Sequence, residues 1–264
     1  MIKSLKDSLK IFFLYSKFSW KTTFQMRIGV LFFMLGKIFR FIFFFFLIYL
    51  IFMRTKMVAG YTMNQAIIFY LTFNIIDTAS QILFREVYRF RPLVTSGNFD
   101  LVLLKPFHPF LRVLIGGVDF LDVFMLVPYL IFTFYLAVHI AGVSPLSLFL
   151  YFLLLCNALV IAMTFHIMVL ALGILTTEVD HTILIYRDLT TLGRFPLEIY
   201  REPIRGLFTF LIPIGIMMSF PPYALFNILS WRLLAYSILA SCILLLISLK
   251  LWNSALKKYQ SWGG

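Results

Sequence analysis

The chain contains a run of 55 residues, Val123–Thr177, without a single Asp, Glu, Lys or Arg. A membrane-spanning helix needs about 20 apolar residues, so this run is too long for one crossing. Residues 141–145, Ala-Gly-Val-Ser-Pro, interrupt it with a turn signal. The run therefore predicts two spans, 119–139 and 146–175. A soluble protein is excluded, because 62% of the 264 residues are hydrophobic and only 13% are charged.

Other parts of the chain also have the composition of membrane segments. Three of them predict further spans: 30–53, 63–84 and 232–252. The first has a short apolar part, so Lys37 and Arg40 are expected to reach toward the lipid headgroups. Residues 1–27 are basic and place apolar side chains at helical spacing. They predict an amphipathic helix that lies in the membrane interface.

The segment 176–232 can be threaded in two ways. In the first, 177–204 is a cytoplasmic loop and 205–222 is the remaining span. In the second, 177–195 is a polar span and 196–226 is a broken hairpin that dips into the outer leaflet. Irregular backbone is tolerated at that depth only where protein or a water-filled cavity shelters it. Both threadings give six crossings with both termini on one side.

Positive charge predicts which side that is. Sixteen of the 23 Lys and Arg residues lie in the segment through Arg40, in the loop 85–112 and at the C-terminal end, all on one face. Cytoplasmic loops are enriched in Lys and Arg, so both termini are predicted to be cytoplasmic. The net charge of +12 then needs no nucleic-acid partner. Four arginines fit neither face cleanly: Arg187, Arg194, Arg201 and Arg205. The charge count alone favours the first threading, which places all four in the cytoplasm.

The sequence lacks the motifs of nucleotide binding and of catalysis. It has no Gly-x-x-x-x-Gly-Lys-Ser/Thr loop, no His-Glu-x-x-His and no Gly-x-Ser-x-Gly. We therefore expect this chain to bind no ATP and no metal, and to contain no catalytic residue. An intramembrane enzyme has no support. A secondary transporter is the alternative, but it would require inverted repeats, and the sequence shows none.

Ionisable residues within the spans are candidate functional groups. A charge at the membrane centre costs about 2.5–3.5 kcal/mol on insertion scales, so Asp77 is expected to face other helices or water. Asn74 and Asp77 line a substrate path in one interpretation. In the other, Asp77 is an anchor between helices that hydrogen-bonds to Asn74 or Thr72.

The loop 85–112 is basic and carries large apolar residues between its charges. This composition suits a short amphipathic helix that presses on a cytosolic partner, and equally a basic loop held against anionic lipid. Asp119 and Asp122 follow the loop, one helical turn apart. They are expected to pair with Arg112 or a neighbouring basic residue rather than to form a substrate site.

Three stretches resemble a known family. Residues 60–62 and 94–106, the latter reading VTSGNFDLVLLKP, are similar to a Gly-x-hydroxyl/acidic element with GDFD-x-LLL-R/K-P. Residues 193–213, which begin GRFPLEIY, are similar to GR-Y/F-P-x-x-IY…LTF-x-IP, and the tail 252–264 is the third stretch. The chain thereby resembles a permease subunit of the ABC type-2 exporters, in the bacterial branch with two related permeases and one ATPase. It departs from that family in the stretch Thr177–Tyr186, which is more polar than the usual fifth span.

The resemblance implies an all-α polytopic protein of the bacterial cytoplasmic membrane, with one transmembrane domain over 1–264 and six spans. It implies that residues 85–106 couple the protein to cytosolic ATPase subunits. Those subunits bind ATP and Mg, so no cofactor belongs to this chain. The residues that correspond to the coupling element are Arg85, Glu86, Arg89, Arg91, Gly97, Asp100, Lys105 and Pro106.

The resemblance also implies a re-entrant outer hairpin over 196–226 and so favours the second threading. The hairpin residues that match are Pro196, Tyr200, Pro203, Pro213 and Pro221. The implied partners are the ATPases, membrane lipid, a small-molecule substrate and a second permease, a sister chain rather than a second copy. An apolar, aromatic path suggests a hydrophobic or amphipathic substrate, cationic if Asp77 lines it.

Overall fold

The computed structural model describes residues 5–25, 27–140, 142–176 and 179–261. Within these ranges the chain is helical and carries no β-strand, which confirms the all-α class. Some predicted features lie partly outside the described residues: the first four residues of the interfacial helix, Ala141 of the turn, Thr177 and Glu178 at the start of the polar span, and the tail from Trp262.

The described helices follow one another along the chain, and short turns of tighter or wider helix separate several of them. The first five are α1 (Leu5–Gln25), α2 (Arg27–Arg54), α3 (Met63–Phe84), α4 (Phe90–Thr95) and α5 (Asn98–Leu103). The next three are α6 (Phe120–His139), α7 (Pro145–Thr176) and α8 (Val179–Thr191). The last four are α9 (Ile204–Gly206), α10 (Ile214–Met218), α11 (Phe220–Leu225) and α12 (Trp231–Lys257).

Five helical segments of the described chain are long and apolar enough to cross a membrane: Ile28–Arg54, Met63–Thr95, Phe120–His139, Pro145–Thr176 and Trp231–Lys257. In its described part, 179–195, the predicted polar span contains α8, with 13 residues, followed by a tight helical turn at Leu192–Arg194. At 1.5 Å per residue α8 rises about 20 Å, which is less than the roughly 30 Å of a hydrocarbon core. The number of crossings, six, therefore stays a prediction.

The helix α3 forms the centre of the bundle, where it packs against α2, α6 and α7. Its side chains are buried around almost the whole circumference, as expected for a helix that is apolar on every face. Asp77 and Gln81 are partly exposed and lie one turn apart. The start of α3 is capped by Thr62, whose backbone N–H donates a 2.9 Å hydrogen bond to the side chain of Gln65.

The last span, α12, packs along α7 through small residues. Ser237 and Ser241 are buried on α12, which lets the two backbones approach closely. Asn157 of α7 donates to the Ser237 carbonyl at 3.3 Å and accepts from the Ser241 hydroxyl at 2.5 Å. Asn157 is therefore a contact between helices.

The two ends of the bundle carry different parts of the chain. At one end, Trp20 of α1 donates its indole N–H to the carbonyl of Val118 at 2.9 Å. At the other end, the Asn227 amide donates to the carbonyl of Gly142 at 2.8 Å and joins two loops. We call the first end, which carries α1, residues 85–118 and the tail 258–261, the basic end.

Candidate coupling element and polar face

Residues 85–106 are a compact unit at the basic end. A turn of tight helix, Arg85–Arg89, leads into α4, and Gly97 then reverses the chain into α5. Gly97 has a φ of +73°, a left-handed conformation that glycine adopts without steric cost. The two short helices pack on each other through Phe90 and Phe99, whose buried rings meet edge to face at 5.2 Å.

Glu86 holds the start of this unit in place. Its buried carboxylate accepts a hydrogen bond from Arg89 at 3.0 Å and pairs with Arg112. Gly116 lies directly beside it, because a Cβ there would stand 1.7 Å from the Glu86 Cγ. Glu86, one of the two acidic residues among the predicted coupling residues, therefore connects the unit to the turn that follows it.

Two more of the predicted residues bind distant parts of the chain. Arg91 forms a 2.7 Å ion pair with Asp180 on α8. The two carboxylate oxygens of Asp100 accept hydrogen bonds from the tail, from the Tyr259 hydroxyl at 2.8 Å and from Ser261. Burial, together with the Asp100 carboxylate, raises the pKa of Tyr259 to about 12. The coupling unit thus contacts the bundle at points far apart in sequence.

The tip of the unit presents apolar side chains outward. Leu101 is 59% exposed and Leu104 is 81% exposed, whereas the intervening Val102 is buried. Lys105 and Pro106 follow and are also exposed. An exposed cluster of large apolar side chains at a polar end of a protein is typical of a protein interface.

A network of ion pairs joins α2, α3 and α6 just inside the basic end. Asp122 is fully buried, pairs with Lys37 and lies 3.5 Å from Arg85. Asp119 caps α6 by accepting from the Leu121 N–H at 2.9 Å and also pairs with Arg85. The expected pairing of both acids holds, but the partners are Arg85 and Lys37. The expectation that Lys37 reaches toward headgroups was wrong, because a buried carboxylate attracts its ammonium group inward.

Asp77 is paired with groups other than those expected. It lies 3.8 Å from Arg40 of α2 and accepts from the Gln81 amide at 3.3 Å. Asn74 is buried and donates to the Tyr70 carbonyl at 2.7 Å, so its amide bonds to the backbone of α3 rather than to Asp77. Thr72, the other expected partner of Asp77, shares a 2.9 Å hydrogen bond with the Tyr151 hydroxyl.

Arg194 lies close to the same face. Its guanidinium stands over the rings of Phe44 and Phe73, at 5.3 and 4.9 Å from their centroids. Its buried Nε has no hydrogen-bond partner among the described residues. Arg40 and Asp77 are close enough to interact with it electrostatically. We call this set, Arg40, Asp77, Gln81 and Arg194, the polar face.

The predicted hairpin is a chain of short helices broken at its prolines. Tyr200 donates its hydroxyl to the Leu192 carbonyl at 2.8 Å, and Tyr223 donates to the Glu198 carboxylate at 2.7 Å. α10 and α11 are buried against α7 and α3, away from the basic end. The four prolines stand at or next to the starts of four short helices or turns, beginning at Leu197, Ile204, Ile214 and Phe220: Pro196, Pro203, Pro213 and Pro221.

The sequence analysis did not place Arg194 and Tyr259 among the candidate site residues. The signal for Arg194 was present, because it is a charged residue that fits neither face, and a charged residue between apolar segments indicates an intramembrane site. Tyr259 lies within the tail stretch, but no local pattern links it to Asp100, which precedes it by 159 residues.

A family model described as ABC-2 family transporter protein matches residues 38–263. No curated protein and no solved structure matches the chain. The matched region includes the coupling unit, the polar face and the hairpin, and it begins after α1.

Proposed function

We propose that this chain, which belongs to the ABC-2 transporter family and is a multi-pass permease component of an ABC transporter, forms half of an export path. In this proposal separate cytosolic ATPase subunits bind ATP and Mg and supply the energy. The protein lies in the bacterial cytoplasmic membrane with both termini in the cytoplasm, as its distribution of Lys and Arg favours. The observation that carries the proposal is the exposed leucine tip at the basic end.

The leucine tip is suited to receive an ATPase. Leu101 and Leu104 project from a unit that ion pairs and hydrogen bonds hold to the bundle, so force applied at the tip reaches the spans. Burying a leucine contributes about 1.5–3 kcal/mol. Losing both contacts should therefore weaken ATPase association at least about 100-fold.

Replacing both leucines by Asp tests this role. We expect the double variant to reach the membrane at the wild-type level and to lose co-purification of a P-loop ATPase after mild solubilisation. Asn98→Asp is the matched control, because it adds a charge in the same helix at an exposed position. Unchanged co-purification of the double variant would contradict the docking role. Charge reversal at Arg89 or Arg91 is a poorer test, because both residues form ion pairs within the chain.

The polar face supports the second half of the proposal, a path between two permeases. Arg40 is 52% exposed in the single chain, and it lies about 5 Å beyond Lys37 along α2. An arginine exposed to lipid tails is costly, so this surface requires a water-filled path or a neighbouring protein. We infer that a second permease, a sister chain, covers it and that Arg40, Asp77 and Arg194 face the path.

The substrate in this proposal is hydrophobic or amphipathic. The rings of Phe44 and Phe73 border the polar face, and the carboxylate of Asp77 is already paired with Arg40. A cationic substrate would therefore have to displace Arg40. ATP depletion of cells separates this exporter from the alternative, a secondary transporter: efflux that survives depletion would contradict the proposal.

Accessibility of the hairpin tests the threading. We expect single cysteines at Ile199 and Tyr200 to react with an impermeant reagent added outside intact cells. The native cysteines Cys156 and Cys242 are exposed, so both must first be replaced. A cysteine at Leu104 is the control for cytoplasmic access. Labelling of the first two positions only from the cytoplasm would rule out the outer hairpin.

A further inference from the structure

The coupling unit and the C-terminal tail are joined by a contact that closes a loop of 159 residues. The carboxylate of Asp100, on α5, accepts one hydrogen bond from Tyr259 and another from Ser261. Both donors lie just beyond the end of α12 at Lys257. Two of the three stretches that resemble the exporter family thus meet in space.

Aromatic packing lies beneath these hydrogen bonds. The fully buried ring of Phe99 meets the ring of Tyr259 edge to face at 5.1 Å and stands 6.4 Å from Trp252 of α12. Phe110, which follows the unit, also contacts Trp252, with the two rings tilted and their centroids 4.9 Å apart. The foot of α12 and the inner face of α5 therefore share one apolar core.

The segments that connect α5 to the rest of the chain are not helical. Gly97 precedes α5 in a left-handed conformation, and the stretch from Leu104 to Pro109 that follows contains no helix. Without the tail, the packing of Phe99 against Phe90 and Trp252 would still hold the inner face of α5, but no hydrogen bond from the tail would fix Asp100. The tail restricts the movement of α5 further, because it holds the middle of the helix at Asp100.

We propose that Asp100, Tyr259 and Ser261 form a clamp that connects α12 mechanically to the coupling unit. The clamp transmits movement of the leucine tip to α12 as well as to α3. From α12 the displacement passes to α7 through the Asn157 contacts with Ser237 and Ser241. Asp100 and Tyr259 are positioning residues in this mechanism. The transmission of ATP-driven movement rests on the proposed function, whereas the clamp itself does not.

Spin labels test the clamp in the purified permease without nucleotide. One label replaces Asn98 at the exposed start of α5, which leaves both tip leucines in place, and the other replaces Lys250 near the foot of α12. We expect a narrow distance distribution for the wild-type clamp and a broad one for Asp100→Ala and for Tyr259→Phe. A hydrogen bond to a charged group shifts an equilibrium by about tenfold or more, so the detached population should rise about tenfold. An unchanged distribution in Asp100→Ala would overturn the clamp.

Two further variants separate positioning from general damage. Asp100→Asn keeps an oxygen that accepts from Tyr259 and should restore most of the narrow distribution. Gln260→Ala changes the exposed residue between the two donors and should leave the distribution unchanged. Broadening in Gln260→Ala equal to that in Asp100→Ala would mean that the tail is merely disturbed, and this too would overturn the assignment.

The same labels in the full transporter distinguish the clamp from the proposed function. With ATP, the tip and the foot of α12 should move together in the wild-type complex and separately in Asp100→Ala. If no ATPase co-purifies, the proposed function fails while the nucleotide-free result still decides the clamp. If ATP moves the tip of the wild-type protein but not α12, the clamp proposal is refuted and the proposal of an exporter stands.

Discussion

Removing the charge of Asp122 should destabilise the protein more than any comparable change at its surface. Asp122 is fully buried and lies between Lys37 of α2 and Arg85 at the end of α3. Asp122→Asn keeps the shape and deletes the charge, which leaves the largely buried ammonium of Lys37 without a counter-ion. Breaking a buried ion pair in this way costs about 3–5 kcal/mol.

Thermal unfolding in detergent, followed by tryptophan fluorescence, measures this cost. For chains of this size each kcal/mol lowers Tm by about 2–4 °C, so Asp122→Asn should lower it by roughly 6–20 °C. The matched control is Asp180→Asn, because its partner Arg91 is 45% exposed and Asp180 itself 48%. An exposed ion pair contributes about 0–1 kcal/mol, so the control should shift Tm by no more than about 4 °C.

A compensating double variant separates charge from packing. Lys37→Met with Asp122→Leu replaces the buried pair by apolar side chains of similar volume, and such replacements are often neutral or stabilising. We therefore expect the double variant to recover most of the Tm that Asp122→Asn loses. The reasoning would be refuted if Asp122→Asn and Asp180→Asn lowered Tm equally, since burial of the pair would then have no energetic consequence.

Two further outcomes follow from the basic end. Gly116→Ala should destabilise the protein by at least about 1–3 kcal/mol in the same unfolding assay, because the φ of Gly116 is +52° and the new Cβ would displace Glu86. Gly36→Ala is the exposed control, and a cost for Gly116→Ala no greater than that of this control would contradict the prediction. The tail contact should also depend on pH: with the pKa of Tyr259 raised to about 12, its stabilisation is fully present below about pH 10 and is lost as the pH rises toward 12. Tyrosinate absorbance of the wild type and of Tyr259→Phe checks this, and a difference titration centred near pH 10 would refute it.

The long helices could be read from the sequence because their causes are local. The predicted span 63–84 coincides with α3, since the capping residues Thr62 and Gln65 and a continuous apolar run mark its limits. The predicted span 119–139 differs from α6 by one residue at its start, and the predicted span 146–175 differs from α7 by one residue at each end. Each of these limits depends on neighbouring residues, which is the information that a single sequence contains.

The short helix α8 shows where local reasoning stops. The predicted span at 177–195 stays a prediction; near its end, Gly193 packs directly against Met218, and Pro196 follows. A residue before proline avoids the helical conformation, so the helix ends early and the chain turns into the hairpin segment. The close approach of Gly193 to a residue 25 positions away is visible only in the fold.

By itself, the sequence determined that the chain is an all-helical membrane protein and which segments are apolar enough to span, because burial in lipid depends on residue composition summed along a short window. The tertiary structure alone decided which charges meet. Lys37 and Asp122 are 85 residues apart, and Asp100 and Tyr259 are 159 apart. Hydrogen bonds and close ion pairs form only between groups in contact, and contact between distant residues is set by the packing of whole helices rather than by any local pattern.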